Sequence, residues 1–347
     1  MGGTTEAGGR VGKVGRGPSM HDVAAVAGVS HQTVSRVLNG YVGIRPETRA
    51  RVVAAIEELG YRRNMAARQL ATGRSDVIGV VMPETHHFGP MSTLYAIEAA
   101  AKRAGLKPLI TTATPEEGTV GDALDFLLGR SVDALVVMAQ QPEMLDAVKS
   151  VLDRLPVLFV LTGDAHGPRS VAVDQRRGVR LVVEHLVSLG HRRIQHIAGP
   201  GDYLEARLRR AALREVLAEH GLEELPILSG DWSADSGYRA GLEVDPSATA
   251  VFAANDPMAL GAMHALEEGG RSVPGDVSLV GFDDVPESAH ARPGLTTVHQ
   301  DFTEVGLRAV QVLMDRLNGV PESHIEPIEP WLIARESSGP VPLVADA

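Results

Sequence analysis

The 347-residue sequence contains no cysteine. Disulfides, thiolate metal sites and cysteine nucleophiles are therefore excluded, and the absence fits a reducing compartment, so a cytoplasmic protein is expected. Aromatic residues are scarce, 4% of the chain, with two tryptophans, Trp232 and Trp331. So little stacking surface argues against RNA as a partner. No stretch approaches the ~20 consecutive apolar residues of a membrane helix. The first eighteen residues are glycine-rich and basic without the apolar segment of a signal peptide, so no membrane association and no export are expected, and 1–18 reads as a disordered tail. The GxSxG, GxGxxG and GxxxxGK[ST] patterns are missing too. His86, His87, His185, His191 and His196 show no metal-ligand spacing with carboxylates and read as surface or strand residues. No enzyme activity, metal or cofactor is expected.

Charge is present but unevenly placed. The chain has a formal net charge of −11, yet residues 1–75 hold eleven Lys and Arg against five acids. That surplus of +6 leaves −17 for the remainder. A basic head on an acidic body implies that only the head meets phosphate, while the body resists non-specific adhesion.

The head reads as three short helices. Ser19 can cap a first one, Met20 to Ala27, with Asp22 completing a capping box before Gly28 ends it. Ser30 can cap a second, His31 to Leu38, closed by Asn39-Gly40. Pro46 with Glu47 opens a third, in which Val52, Val53, Ile56 and Leu59 form an apolar stripe before Gly60. Two helices crossing through a tight turn need a small residue at the contact, a glycine in the turn and a compact apolar core. Ala24, Gly28 and the set Val23, Val29, Val34 and Val37 meet those needs. His31, Gln32, Thr33, Ser35 and Arg36 are left facing outward, with groups suited to base edges or phosphates in a major groove.

From Asp76 onward the texture changes. Apolar runs at Val77–Met82, Pro108–Thr112, Ala134–Met138, Val157–Leu161, Ile194–Ala198, Ala250–Ala254 and Val277–Phe282 alternate with helical patterns such as Thr93–Ala104 and Glu205–Glu219. Continuous Val/Ile/Leu strands between helices imply parallel sheets covered on both faces, with room for two. Ligands of such sheets bind beyond the carboxyl ends of the strands, where Asn255 and Asp283 fall.

The string from Asp22 to Asn39, with Thr48-Arg49 and Leu59-Gly60-Tyr61, resembles the DNA-binding head of the lac repressor (LacI/GalR) family. The resemblance extends over nearly all of residues 19–335. In the C-terminal half it is closest to the repressor that gives the family its name, through Gly230-Asp231-Trp232-Ser233, the Ala253 to Met263 segment, Val280 to Asp284 and Leu295 to Phe302. It implies a fold of an N-terminal all-α helix-turn-helix plus hinge helix, then an α/β two-lobed core like the periplasmic binding proteins with two parallel sheets. The expected boundaries are a head over 19–62, a hinge over 63–75 and a core over 76–340. Within that core one lobe takes about 76–173 and 302–329 and the other 174–301 and 330–340, and 341–347 is a tail.

The same resemblance implies residue roles. His31, Gln32 and Arg36 read bases, with Ser30, Thr33, Ser35 and Asn39 nearer the DNA backbone. In the hinge, Asn64, Ala67 and Leu70 contact the minor groove, Leu70 as the wedge that kinks the duplex. Arg45 departs from the family's usual serine cap at this position, so helix three relies on Pro46 and Glu47. In the core, a sugar needs forked polar groups for its hydroxyls and an apolar face for its C–H surface. Arg209, Asn255, Asp283 and Gln300 supply the forks, and Phe88, Pro90, Trp232 and Phe302 the surface. Asp256 and Asp284 read as fold-stabilising acids. Leu161 is a second departure, standing where the family's namesake has an acid, and with Pro83 it argues against a galactoside effector. The function implied is a homodimeric repressor on a pseudo-palindromic double-stranded operator, controlled by a small-molecule effector such as a sugar. A leucine-heptad tetramer helix is absent after Arg335. A sugar receptor or transport component is the rival reading, and a hydrolase on the same scaffold a more distant one; the head speaks against both.

Overall fold

A computed structural model describes residues 17–62, 69, 73–114, 118–161 and 167–341. The expected hinge contacts Asn64, Ala67 and Leu70 lie outside the described residues. The chain divides into two compact units, residues 1–75 and 76–347.

The first unit is built on local signals. Helix α1 (Met20–Ala27) starts on a capping box in which the Ser19 N–H donates to Asp22 Oδ2 at 2.7 Å, and it ends at Gly28 with φ +62°. Helix α2 (His31–Leu38) starts at Ser30, whose Oγ accepts the Thr33 N–H at 3.2 Å. Helix α3 (Pro46–Leu59) has no side-chain cap at Arg45 and relies on Pro46 in its first turn. Val23, Val34 and Val52 are fully buried, with Ala24, Ala27, Val37, Ala55 and Tyr61 around them. One expectation fails here. Val53 is 43% exposed, and Ala55 takes its place in the core. Successive residues are rotated by roughly 100°, so a stripe through 52, 55, 56 and 59 leaves 53 facing solvent.

In the second unit, strands β1 (Val77–Pro83), β2 (Lys107–Ala113), β3 (Ala134–Met138), β4 (Val157–Val160) and β5 (Ser170–Val171) form a parallel sheet in the order β2-β1-β3-β4-β5. Helix α4 (Phe88–Arg103) packs on one face, with α5 (Val120–Gly129) and α6 (Pro142–Val148) on the other. The second lobe begins with α7 (Gln175–Ser188) and continues through β6 (Ile194–Ala198), α8 (Leu204–Glu219), β7 (Leu228–Ser229), α9 (Ala234–Leu242), β8 (Ala250–Ala253), α10 (Asp256–Glu268) and β9 (Ser278–Val280). Its parallel sheet runs β7-β6-β8-β9. Helices α9 and α10 meet at Gly237 and Gly261, where a Cβ on either would run into the backbone of the other helix.

The chain passes between the lobes repeatedly. After β10 (Thr297–His299) it enters α11 (Phe302–Leu317), whose Val305, Ala309 and Leu313 join the first lobe's core beside Ile97. It returns through a parallel bridge of Ile328 with Val173, and β11 (Trp331–Ile333) then pairs antiparallel with β10.

The segment after β11 is stitched into the second lobe. Ser337 is fully buried, its Oγ donating to the Leu279 carbonyl at 2.6 Å. His191 clamps the same region, with Nε2 at 2.9 Å from Ser278 Oγ and 3.0 Å from the Gly339 carbonyl. This corrects its reading as a surface or strand residue, since it is fully buried in the turn before β6, and burial lowers its pKa. His196 is on β6 as expected, but it is buried against Phe252 and burial brings its pKa down to about 4.

Candidate functional site

In the first unit, α2 presents His31, Gln32 and Arg36 to solvent because Val34 and Val37 anchor its opposite face. Ser30 Oγ is 2.9 Å from Thr33 Oγ1, so these two polar groups serve the helix start as well as the surface. Asn39 Nδ2 donates to Ser35 Oγ at 3.4 Å, placing both at the far end of the same helix. Tyr41 and Val42, which sequence reasoning passed over, are 56% and 95% exposed just beyond α2. Arg49 Nη2 donates to the Tyr41 carbonyl at 2.7 Å, and the Arg36 guanidinium lies over the Tyr41 ring.

In the second unit a cavity of about 770 Å³ opens between the lobes. It lies beyond the carboxyl ends of the strands, where loops of both sheets converge. Phe88 and Pro90 enter from the start of α4, Leu161 from the end of β4 and Phe302 from the start of α11. Arg209 comes from α8, Trp232 from the turn before α9, Asn255 and Asp283 from beyond β8 and β9, and Gln300 from beyond β10. All nine side chains named from the sequence thus border one space.

Several of them are held in unusual geometry. Leu161, Trp232 and Asp283 have φ of +56°, +72° and +110°, a left-handed region that costs about 1–3 kcal/mol for residues with a Cβ. Trp232 lies under Gly199, where any Cβ would strike its ring, and Tyr203 meets that ring edge-on at 5.8 Å. Phe88 and Phe302 form a second aromatic pair at 5.8 Å.

The polar floor is a chain of buried hydrogen bonds. Arg209 Nε donates to Gln175 Oε1 at 2.8 Å, Gln175 Nε2 to Gln300 Oε1 at 2.7 Å, and Gln300 Nε2 to Asp283 Oδ1 at 2.6 Å. Arg209 also donates to the Ala254 carbonyl, and its guanidinium lies 4.1 Å from the Phe282 ring centroid. Burial pushes the Asp283 carboxyl up to about 7, with Arg209 and Gln300 opposing the rise. Asn255 is partly committed to the fold: Oδ1 accepts the Met258 N–H at the start of α10, and Nδ2 donates to the Trp232 carbonyl.

Asp256 is fully buried and accepts from the Val285 N–H at 2.9 Å, Ser288 Oγ at 2.6 Å and Thr297 Oγ1 at 2.5 Å. Burial, then the charge of Asp283, raises its pKa to about 7. Asp284 instead pairs with Arg335 at 2.7 Å and His299 at 2.8 Å, and these partners outweigh burial to lower its pKa. Both acids hold the fold. Sequence reasoning missed Gln140, Glu205, His87 and Tyr95 as lining residues. Among the described residues no cluster of His, Asp or Glu is arranged to hold a metal, and no helix is long and apolar enough to cross a membrane.

Two family models match the chain: one described as bacterial regulatory proteins, lacI family, over residues 19–64, and one described as a periplasmic binding protein-like domain over residues 183–338. The chain is 36% identical over 309 residues to the lactose operon repressor of Escherichia coli (strain K12), covering 87% of this chain and 85% of that protein. It is also 36% identical over 339 residues to the HTH-type transcriptional regulator CelR of Thermobifida fusca, covering 93% and 98%. A crystal structure of the lac repressor dimer bound to operator and the anti-inducer ONPF matches with a TM-score of 0.85 at 34% identity, covering 93% of this chain and 100% of that one. A CelR–cellobiose complex matches with a TM-score of 0.66 at 32% identity, covering 92% and 100%.

Proposed function

The chain belongs to the lacI family of bacterial regulatory proteins, and from that premise we propose that it is a homodimeric transcriptional repressor released from its operator by a sugar bound between the lobes of its core. The observation that carries this reading is the convergence of Arg209, Asp283 and Gln300 with Trp232, Phe88 and Phe302 on one cavity. Forked, buried polar groups opposite aromatic faces match a ring that carries hydroxyls on its edge and C–H bonds on its faces. At about 770 Å³ the space falls in the range of ~300–1,000 Å³ usual for small-molecule sites.

The head, residues 19–62, supplies the other half of the function. His31, Gln32 and Arg36 read base edges in each half-site, and Ser30, Thr33, Ser35 and Asn39 fix the helix against the backbone. Residues 63–75 form the hinge through which Asn64, Ala67 and Leu70 reach the minor groove. Sugar binding favours a lobe arrangement that holds two hinges apart, an allosteric coupling on the order of 1–3 kcal/mol. The protein acts in the cytoplasm, on the nucleoid when bound to DNA.

Genomic footprinting of the purified protein, repeated with a panel of sugars that includes cellobiose, tests this reading. Protection of a pseudo-palindromic site that one sugar abolishes is the expected result. Indifference between all duplex sequences at moderate salt would overturn it.

A further inference from the structure

The charges around the cleft do not balance. Glu205, Asp283 and Glu287 border it, while Arg209 is the one Lys or Arg among the described lining residues. That cation is already compensated: it is 2% exposed, donates to Gln175 and the Ala254 carbonyl, and stands 3.8 Å from the Asp283 carboxyl. The start of α4 offers a helix N-terminus, and Pro90 removes one N–H from its first turn. An anionic ligand would meet the acidic side chains of Glu205, Asp283 and Glu287, the first two already disfavoured as anions by burial, with His86 and His87 also lining the space and no uncompensated Lys or Arg among the described lining residues.

A second observation concerns Gln140, in the loop after β3. Its amide donates to the Glu205 carboxylate, yet its Oε1 has no hydrogen-bond partner although the residue is only 7% exposed and borders the cleft. An unmade bond at a buried acceptor costs about 1–3 kcal/mol, which a ligand hydroxyl would recover. The pair also joins the lobes. The Leu204 N–H donates to the Gln140 carbonyl at 2.8 Å, and Gln141 Nε2 donates to Asp202 Oδ2 at 2.7 Å, so the loop after β3 is tied to the start of α8.

We propose that Glu205 and Gln140 form a second polar subsite, beside the Arg209–Asp283 floor, that accepts hydrogen bonds from an uncharged, hydroxyl-bearing end of the effector and rejects phosphorylated or acidic sugars. The inference rests on the reading of the cleft as a sugar site. A donor-rich ligand satisfies Gln140 Oε1 and Glu205 together. A phosphate supplies acceptors where acceptors already crowd, and adds like charge.

The test uses the full-length protein and matched pairs: glucose with glucose 6-phosphate, galactose with galactose 6-phosphate, and cellobiose with its 6-phosphate. Calorimetry gives the affinities, and release of operator DNA gives the response. In the wild type the neutral member of the pair that binds is expected to be tighter by about 100-fold. Glu205→Gln keeps the shape and removes the ionisable acceptor, so the discrimination falls about tenfold or more. Gln140→Leu weakens the neutral member about tenfold. Thermal unfolding of each variant establishes that it is folded, and the wild-type ranking stands without either variant. A phosphorylated member as the tightest ligand, or a Glu205→Gln discrimination equal to the wild type, overturns the subsite and leaves the sugar reading intact. No binding by any member of any pair overturns both.

Discussion

Arg209 Nη2 stands 3.8 Å from Asp283 Oδ1, an ion pair without a direct hydrogen bond, in which both side chains are almost wholly buried. The space between a buried cation and a buried carboxylate, each held from behind by glutamine, is where a hydroxyl can bond to both. Asp283→Ala removes the acceptor and leaves Arg209 buried without its counter-charge, a loss of about 2–5 kcal/mol. Sugar-dependent release of the operator should vanish while the head still binds DNA. A variant that releases operator at the wild-type sugar concentration would show that the cleft works through other residues.

The raised pKa of Asp283 makes a pH prediction. Its carboxyl titrates near 3.8 in the unfolded chain and at about 7 in the folded one, so the folded state binds the proton more tightly. Folding stability is therefore lost as pH rises from about 4 to 7 and is constant above that. Buried His191 and His196, whose pKa values are lowered, act oppositely and weaken the fold as pH falls below 6.5. Comparing Asp283→Asn with wild type cancels the histidines. The variant should gain on the wild type between pH 5 and 8, by on the order of 1–4 kcal/mol, and a pH-independent difference in chemical denaturation would contradict this.

The head was legible in the sequence because each helix end carries its own chemistry: Ser19 with Asp22, Gly28, Ser30, Pro46 and Gly60. Asn255 and Asp283 were legible because each terminates an apolar run. Glu205 was not, since an acid in a first helical turn is ordinary, and its burial with Gln140 beside it joins residues remote in the chain. His191 was hidden for the same reason, because its partners Thr249, Ser278 and Gly339 are 58 to 148 residues away. The short strands β5, β7, β10 and β11 leave too few residues for any period to register. Val53 shows the converse error, an apolar residue assigned to the core by hydrophobicity when its angular position points it outward.

On the DNA side, Gln32 and Arg36 are exposed on a helix whose core anchors, Val34 and Val37, do not depend on them. Gln32→Ala should relax base preference at one half-site position, by about 1–3 kcal/mol, without altering the melting of the head. Selection of binding sites from a randomised operator checks this. An unchanged preference at every position would move base reading away from Gln32.

Gly199 offers a probe of the cleft that touches no polar group. It follows β6, and a Cβ there would run into the six-membered ring of Trp232. The indole cannot retreat freely, because Tyr203 meets it edge-on and Asn255 Nδ2 holds the Trp232 carbonyl at 3.0 Å. Gly199→Ala should therefore push the ring into the cavity, with an overpacking cost of about 1–3 kcal/mol. Sugar affinity then falls through lost room and a tilted stacking face, while footprints on the operator without sugar stay as they were. Tryptophan fluorescence reads the displacement when both proteins carry Trp331→Phe, which removes the other indole, stacked on His299. Unaltered emission together with unaltered sugar affinity would mean that Trp232 does not line the occupied part of the cleft.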